Sequence, residues 1–260
     1  MGKEYGKATL DQIKQTLSLV PELSKIGKEL PKLFKDDGDF FKKAPLDFAW
    51  SDFYILPFQE VLSIFYVVGG LADDAHEIAN SSDPKQFVFD ELLKREPTIQ
   101  DFGLGKEYSE YAYVGVFVAM VRSLQSIEIH GCSLNRLMEY ARLGSDKALF
   151  EAIKIDRSIA TCELAAKRCA IAELKKDNQF FNKLKNALDG NPKKHDRAHN
   201  DLRFVLAMLN EFDMLKELTP KKLFNLCHAE LSLYRDDEKS FNTFVRRWKK
   251  QHAASNENFM

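Results

Sequence analysis

The residues best placed to do chemistry are His195-Asp196-Arg197-Ala198-His199. Two histidines four positions apart fall on one face of a helix and can share one metal ion. Metal-assisted hydrolysis on such a helix calls for Glu after the first His as general base. Here the position holds Asp, whose reach is shorter. If the helix continues to Leu209, His195 and His199 flank its apolar stripe and Asp196 points away from them. Packing histidines are therefore the favoured reading, and a metal-dependent hydrolase using His195, Asp196 and His199 is the alternative.

Other pairings carry less. Asp73-x-x-His76 and Asp196-x-x-His199 repeat one spacing. However, a helix whose core positions are Ile64, Val68, Leu71, Ala75 and Ile78 turns Asp73 and His76 to its opposite, solvated face. His130-Gly131-Cys132 and Cys227-His228 bring a thiol and an imidazole close in sequence. A nucleophile pair needs them within hydrogen-bond reach with a third group to orient the base, and consecutive helical residues diverge by about 100°. Cys162 and Cys169, seven apart, read as small core residues. The chain contains no glycine-rich phosphate cradle of either nucleotide-binding type and no Gly-x-Ser-x-Gly elbow. No cofactor is expected and no catalytic residue is assigned.

A different kind of site lies near the C-terminal end. Residues 237–252 place Phe241, Phe244, Val245 and Trp248 on one side of a helix and Lys239, Arg246, Arg247 and Lys250 on the other. Lys221 and Lys222 open the preceding helix, where backbone N–H groups also favour phosphate. Lys221, Lys222, Arg246, Arg247, Lys249 and Lys250 are thus the candidate binding residues for an acidic partner, and binding through them is expected to be salt-sensitive. A tri-helical unit is one way to present a helix to DNA, so nucleic acid is a candidate partner. Asp236-Asp237-Glu238, just before the last helix, would repel it. Leu10–Phe34 is amphipathic and lysine-rich, which gives a third reading, a membrane-active helical effector.

These residues must be held by helices. Leu10, Ile13, Leu17 and Val20 recur at steps of three and four behind Thr9, a capping residue. Pro21 is expected to split or kink this segment. A buried helix follows from Phe58 to about Ala79, and Asp83-Pro84 marks the start of another over residues 85–95. A long helix is expected over residues 107–129, closed by Gly131. Ser133 and Ser145 cap the next two. One helix is expected from Asp156 or Ser158 to about Lys176, and Asp177 or Asn178 caps residues 179–188. Asp189-Gly190-Asn191-Pro192 is a turn, and helices at 196–212, 220–232 and 237–252 complete the chain. No stretch alternates as a strand does. The expected fold is all-α, of about ten helices: a helical core domain over residues 1–188, a small tri-helical unit over 193–252 and a disordered tail over 253–260.

Composition sets the wider frame. The chain has 260 residues, 45% of them apolar, including 20 phenylalanines, enough for a substantial core. Net charge is −1, yet residues 44–120 hold 13 acids and four bases while residues 121–252 hold 25 bases and 18 acids. The two parts attract each other, within one chain or between copies, or the basic part attracts a polyanion. Four cysteines without a Cys-x-x-Cys pair and no secretory signal point to a reduced, cytoplasmic protein. Tyr54–Ala72 is interrupted by Pro57, Gln59 and Glu60, and Tyr111–Val121 is too short to span, so no transmembrane segment is expected. Taken together, the sequence predicts a non-enzymatic interaction or regulatory protein acting within a complex, with a protein partner, open to nucleic acid and to oligomer formation.

Overall fold

A computed structural model describes residues 9–35, 50–69, 77, 81, 82, 106–192 and 198–259. Every regular element among them is helical. The expected restart at Asp83-Pro84, the Asp73 and His76 pair, and His195 and Asp196 lie outside the described residues.

Helix α1 (Leu10–Lys35) begins with a reciprocal cap: Thr9 Oγ1 accepts from the Gln12 amide at 3.2 Å, and Gln12 Oε1 accepts from the Thr9 amide at 2.8 Å. It runs through Pro21 as one helix, which excludes the split and leaves the single kinked helix of the two expected alternatives. Pro21 is exposed, and its missing N–H costs one bond at the solvent face, while Ile13, Thr16 and Leu23 are buried. A 3-10 segment, Trp50–Ile55, leads into α2 (Phe58–Gly69).

The centre of the molecule is α3 (Lys106–His130). Residues Val116 to Val121 are all buried, as are Ser123 and Ser126 further along, so the helix is surrounded rather than amphipathic. It packs against α1, α2, the 3-10 segment and the next two helices. It closes at Gly131 (φ +78°), and Ser133 caps α4 (Leu134–Arg142) by accepting from the Arg136 amide. Gly144 (φ +106°) turns the chain, and Ser145 caps α5 (Asp146–Ile155) in the same way.

Where one helix is expected from residue 156 to 176, the structure has two elements. Asp156 caps a 3-10 turn, Arg157–Thr161, through Ser158, and α6 (Glu163–Leu174) starts after Cys162. The Asp156 carboxylate also accepts from the buried Tyr54 hydroxyl at 2.5 Å. That tertiary bond fixes the chain in a short turn at this point. Asp177 caps α7 (Asn178–Asp189). Arg168 of α6 binds Asp146 with two bonds of 2.6 Å, approaches Asp177 at 3.6 Å, and lies 4.3 Å over the Phe180 ring. This one guanidinium ties α5, α6 and α7 together.

Helix α8 (Asn200–Glu211) carries seven buried residues, and the single-turn α9 (Met214–Glu217) follows Asp213. Thr219 caps α10 (Pro220–Asn225), with Pro220 at its first position, and a π-turn, Leu226–Glu230, completes that pass. The last helix, α11 (Glu238–Glu257), is capped by Asp237, which accepts from the Lys239 and Ser240 amides. It extends five residues beyond the expected end at 252, and Phe259 is buried. Residues 253–257 continue α11, and Phe259 packs on the body. The physical reason is apolar burial: Phe259 stacks on Tyr140, meets His130 edge-on, and lies under Lys147. Across the boundary expected at residues 189–192, α8 packs on α3 and α1, and one continuous apolar core includes residues from both sides. No helix among the described residues is long and apolar enough to cross a membrane.

Candidate functional site

The outer face of α11 carries the cations expected to bind. Phe241, Val245 and Trp248 are buried at 0, 7 and 5% exposure. Their positions point one way at 100° per residue, which leaves Arg246 and Lys250 on the opposite side with Arg247 and Lys249 flanking them. All four are exposed, and none forms an ion pair among the described residues. Lys221 and Lys222 are exposed as well. Phe224 of α10 meets Phe241 of α11 with ring centroids 5.4 Å apart. That fixes α10 at the N-terminal end of α11, and residues 246–250 begin about 8 Å further along the axis at 1.5 Å per residue. Lys221 and Lys222 open α10, the helix that meets that end. Tyr234 packs on Phe241 at 5.2 Å, and His228 Nδ1 lies 2.7 Å from the Tyr234 carbonyl oxygen, which holds the connection between α10 and α11.

His199 has a different setting from the one expected. Helix α8 starts at Asn200, so His199 precedes it, with φ +59°. Its ring packs near Tyr234 and Phe244 at 5.7 and 5.4 Å. Among the described residues no group of three His, Cys, Asp or Glu is placed to hold a metal ion. The four cysteines are unpaired thiols. Burial pushes the Cys132 thiol well above its usual range and the Cys227 thiol up to about 12. Both are therefore held as thiols, not as nucleophilic thiolates.

Two clefts assemble from residues that sequence spacing does not connect. The first, about 500 Å³, lies between residues 55–59, α4 and the end of α8. Glu211, 8% exposed, projects into its wall. Glu211 accepts from Ser133 Oγ at 2.6 Å and lies 3.7 Å from Arg136 Nε. Burial raises the Glu211 carboxyl above its usual range, against the opposing pull of Arg136 and Ser133. Asn135 beneath it donates to the Phe53 and Leu56 carbonyls and accepts from Ser123. These bonds fix the 3-10 segment on α4.

The second cleft, about 450 Å³, opens where the ends of α3 and α11 meet the starts of α5 and α8. His252 is its keystone. Its Nε2 donates to the Gly131 carbonyl at 2.7 Å, its Nδ1 accepts from Asn256 at 3.2 Å, and its ring packs on Trp248 at 4.6 Å. The positive φ of Gly131 calls for glycine, and a Cβ there would stand 3.4 Å from the His252 ring, in ordinary contact with it. No local signal in the sequence marks either cleft, because each draws on positions separated by 70 residues or more.

Compared with known proteins, the chain matches no family model, no curated protein and no solved structure.

Proposed function

We propose that this protein is a non-enzymatic interaction protein that works within a complex and holds an acidic partner on the outer face of α11. The observation that carries this reading is the state of Arg246, Arg247, Lys249 and Lys250. They are exposed on one helix and have no carboxylate in ion-pair range among the described residues, although the fold pairs other cations. Lys14 meets Glu230 at 2.5 Å and Arg168 meets Asp146 at 2.6 Å. Unpaired cations on a helix anchored by Phe241, Val245 and Trp248 form a preorganised positive surface that raises the encounter rate with an acidic partner. Lys221 and Lys222 provide a second contact at the other end of the unit.

The test is capture of a partner from native lysate at low and high salt by the wild-type chain and by an Arg246→Glu/Arg247→Glu variant. A stoichiometric partner that salt releases and the variant fails to capture is the expected result. Equal capture by the variant defeats the proposal. If the partner is nucleic acid instead, the log–log salt slope falls by about 0.9 for each duplex phosphate that the variant no longer neutralises.

A further inference from the structure

We propose that the 450 Å³ cleft between the ends of α3 and α11 and the starts of α5 and α8 binds a small phosphate monoester. The site stands apart from the outer face of α11 and does not rest on it.

Two strongly basic side chains reach the cleft from different walls, and each is held in place by neighbouring groups. Lys147 of α5 keeps its ammonium 5.2 Å over the Phe259 ring and forms no ion pair among the described residues. Arg203 of α8 donates through Nε to the Ala198 carbonyl at 3.1 Å and through Nη1 to Gln251 Oε1 at 3.3 Å, with its guanidinium 5.2 Å from the Phe244 ring. Carboxamides from Asn200, Gln251 and Asn258 line the space between. Two cations with several amide donors suit a group that carries nearly two negative charges and three acceptor oxygens, which is a phosphate monoester at neutral pH. A carboxylate would use half of this provision. Glu128 on the same wall sets the rest of the ligand. Its charge opposes a second phosphate, and the Asn258 carboxamide suits a hydroxyl group, so the body fits a polyhydroxyl compound such as a sugar. The volume is in the range of small-ligand sites.

Lys147 is the residue to test, since it is exposed and lies in no ion pair among the described residues. Calorimetric titration with ribose 5-phosphate is expected to show saturable binding to the wild-type chain. Ribose alone should bind at least about tenfold more weakly, since one charge-assisted contact is worth about 1.4 kcal/mol or more. Lys147→Ala should weaken ribose 5-phosphate by a similar factor in a protein that stays folded, with a small fall in the thermal midpoint from the lost contact over Phe259, and Lys147→Arg should restore both. The inference is overturned if ribose 5-phosphate shows no saturable binding, if ribose binds equally well, or if Lys147→Ala binds as the wild type does. Partner capture through α11 is expected to be the same in Lys147→Ala, so failure here leaves that reading intact.

Discussion

Removing one oxygen atom from Tyr54 tests how the first part of the chain is held. Its hydroxyl donates to Asp156 Oδ2 across 102 residues of sequence. Tyr54 is 0% exposed and Asp156 is 6% exposed, so water does not replace the lost donor. Asp156 Oδ1 keeps its bonds from the Ser158 amide and hydroxyl at 2.9 and 2.7 Å. Tyr54→Phe preserves the ring and its packing, so no cavity contributes. What is lost is one hydrogen bond to a buried charge, worth about 1.5–3 kcal/mol. For a domain of this size that corresponds to a fall in the thermal midpoint of about 3–12 °C. Urea unfolding gives the free energy directly, and a cycle with Asp156→Ala isolates the pair. A coupling of about 1.5 kcal/mol or more is expected. A loss below about 0.5 kcal/mol, or additive single effects, would refute the idea that this bond anchors the 3-10 segment. Hydrogen exchange should also show faster opening at Trp50–Ile55 in the variant, since α2 enters the fold through that segment.

Glu211 gives a pH prediction. Its folded carboxyl titrates above the ordinary 4.5, so between those two values the folded protein keeps a proton that the unfolded chain releases. Stability at this site therefore falls as pH rises through that window and stays lower above it. Glu211→Gln keeps an acceptor for Ser133 and should flatten that decline in a series of denaturation curves. Arg168→Ala removes the shared tie between α5, α6 and α7. Discounted for its partial exposure, the loss should be about 1 kcal/mol, with Arg168→Lys recovering only part because a point charge cannot replace the two-pronged contact with Asp146. Gly144→Ala meets no neighbouring atom but must adopt φ +106°. It should cost about 1–2 kcal/mol by urea unfolding through backbone strain alone. His252→Ala should destabilise by about 1–3 kcal/mol, since it leaves the Gly131 carbonyl without its donor and empties space beside Trp248. An unchanged midpoint would show that α11 is not anchored there.

Much of the local structure is legible in the residues. Ser133, Ser145, Asp177 and Thr219 cap helices where expected, because a short side-chain acceptor satisfies orphan amides whatever the rest of the fold does. Gly131 ends α3 as expected, with a positive φ. The all-α class follows from three- and four-residue apolar periodicity. So does the outward direction of Arg246 and Lys250, once Phe241, Val245 and Trp248 face the core. The expectations that fail concern segments whose state depends on distant partners. Pro21 leaves α1 as one helix rather than two, and the 156–176 segment becomes a turn and a helix.

The sequence by itself determined the helices, their caps and the cationic side of the last helix, since each depends on residues within a turn or two of one another. The tertiary structure alone decided which distant groups share a site. Ser133 meets Glu211, Gly131 meets His252, and Lys147 faces the cleft that Arg203 and Gln251 also line. Such contacts come from how apolar faces pack. A hydrophobic face specifies that it will be covered, and its area sets the strength of the drive, but it does not name the helix that covers it.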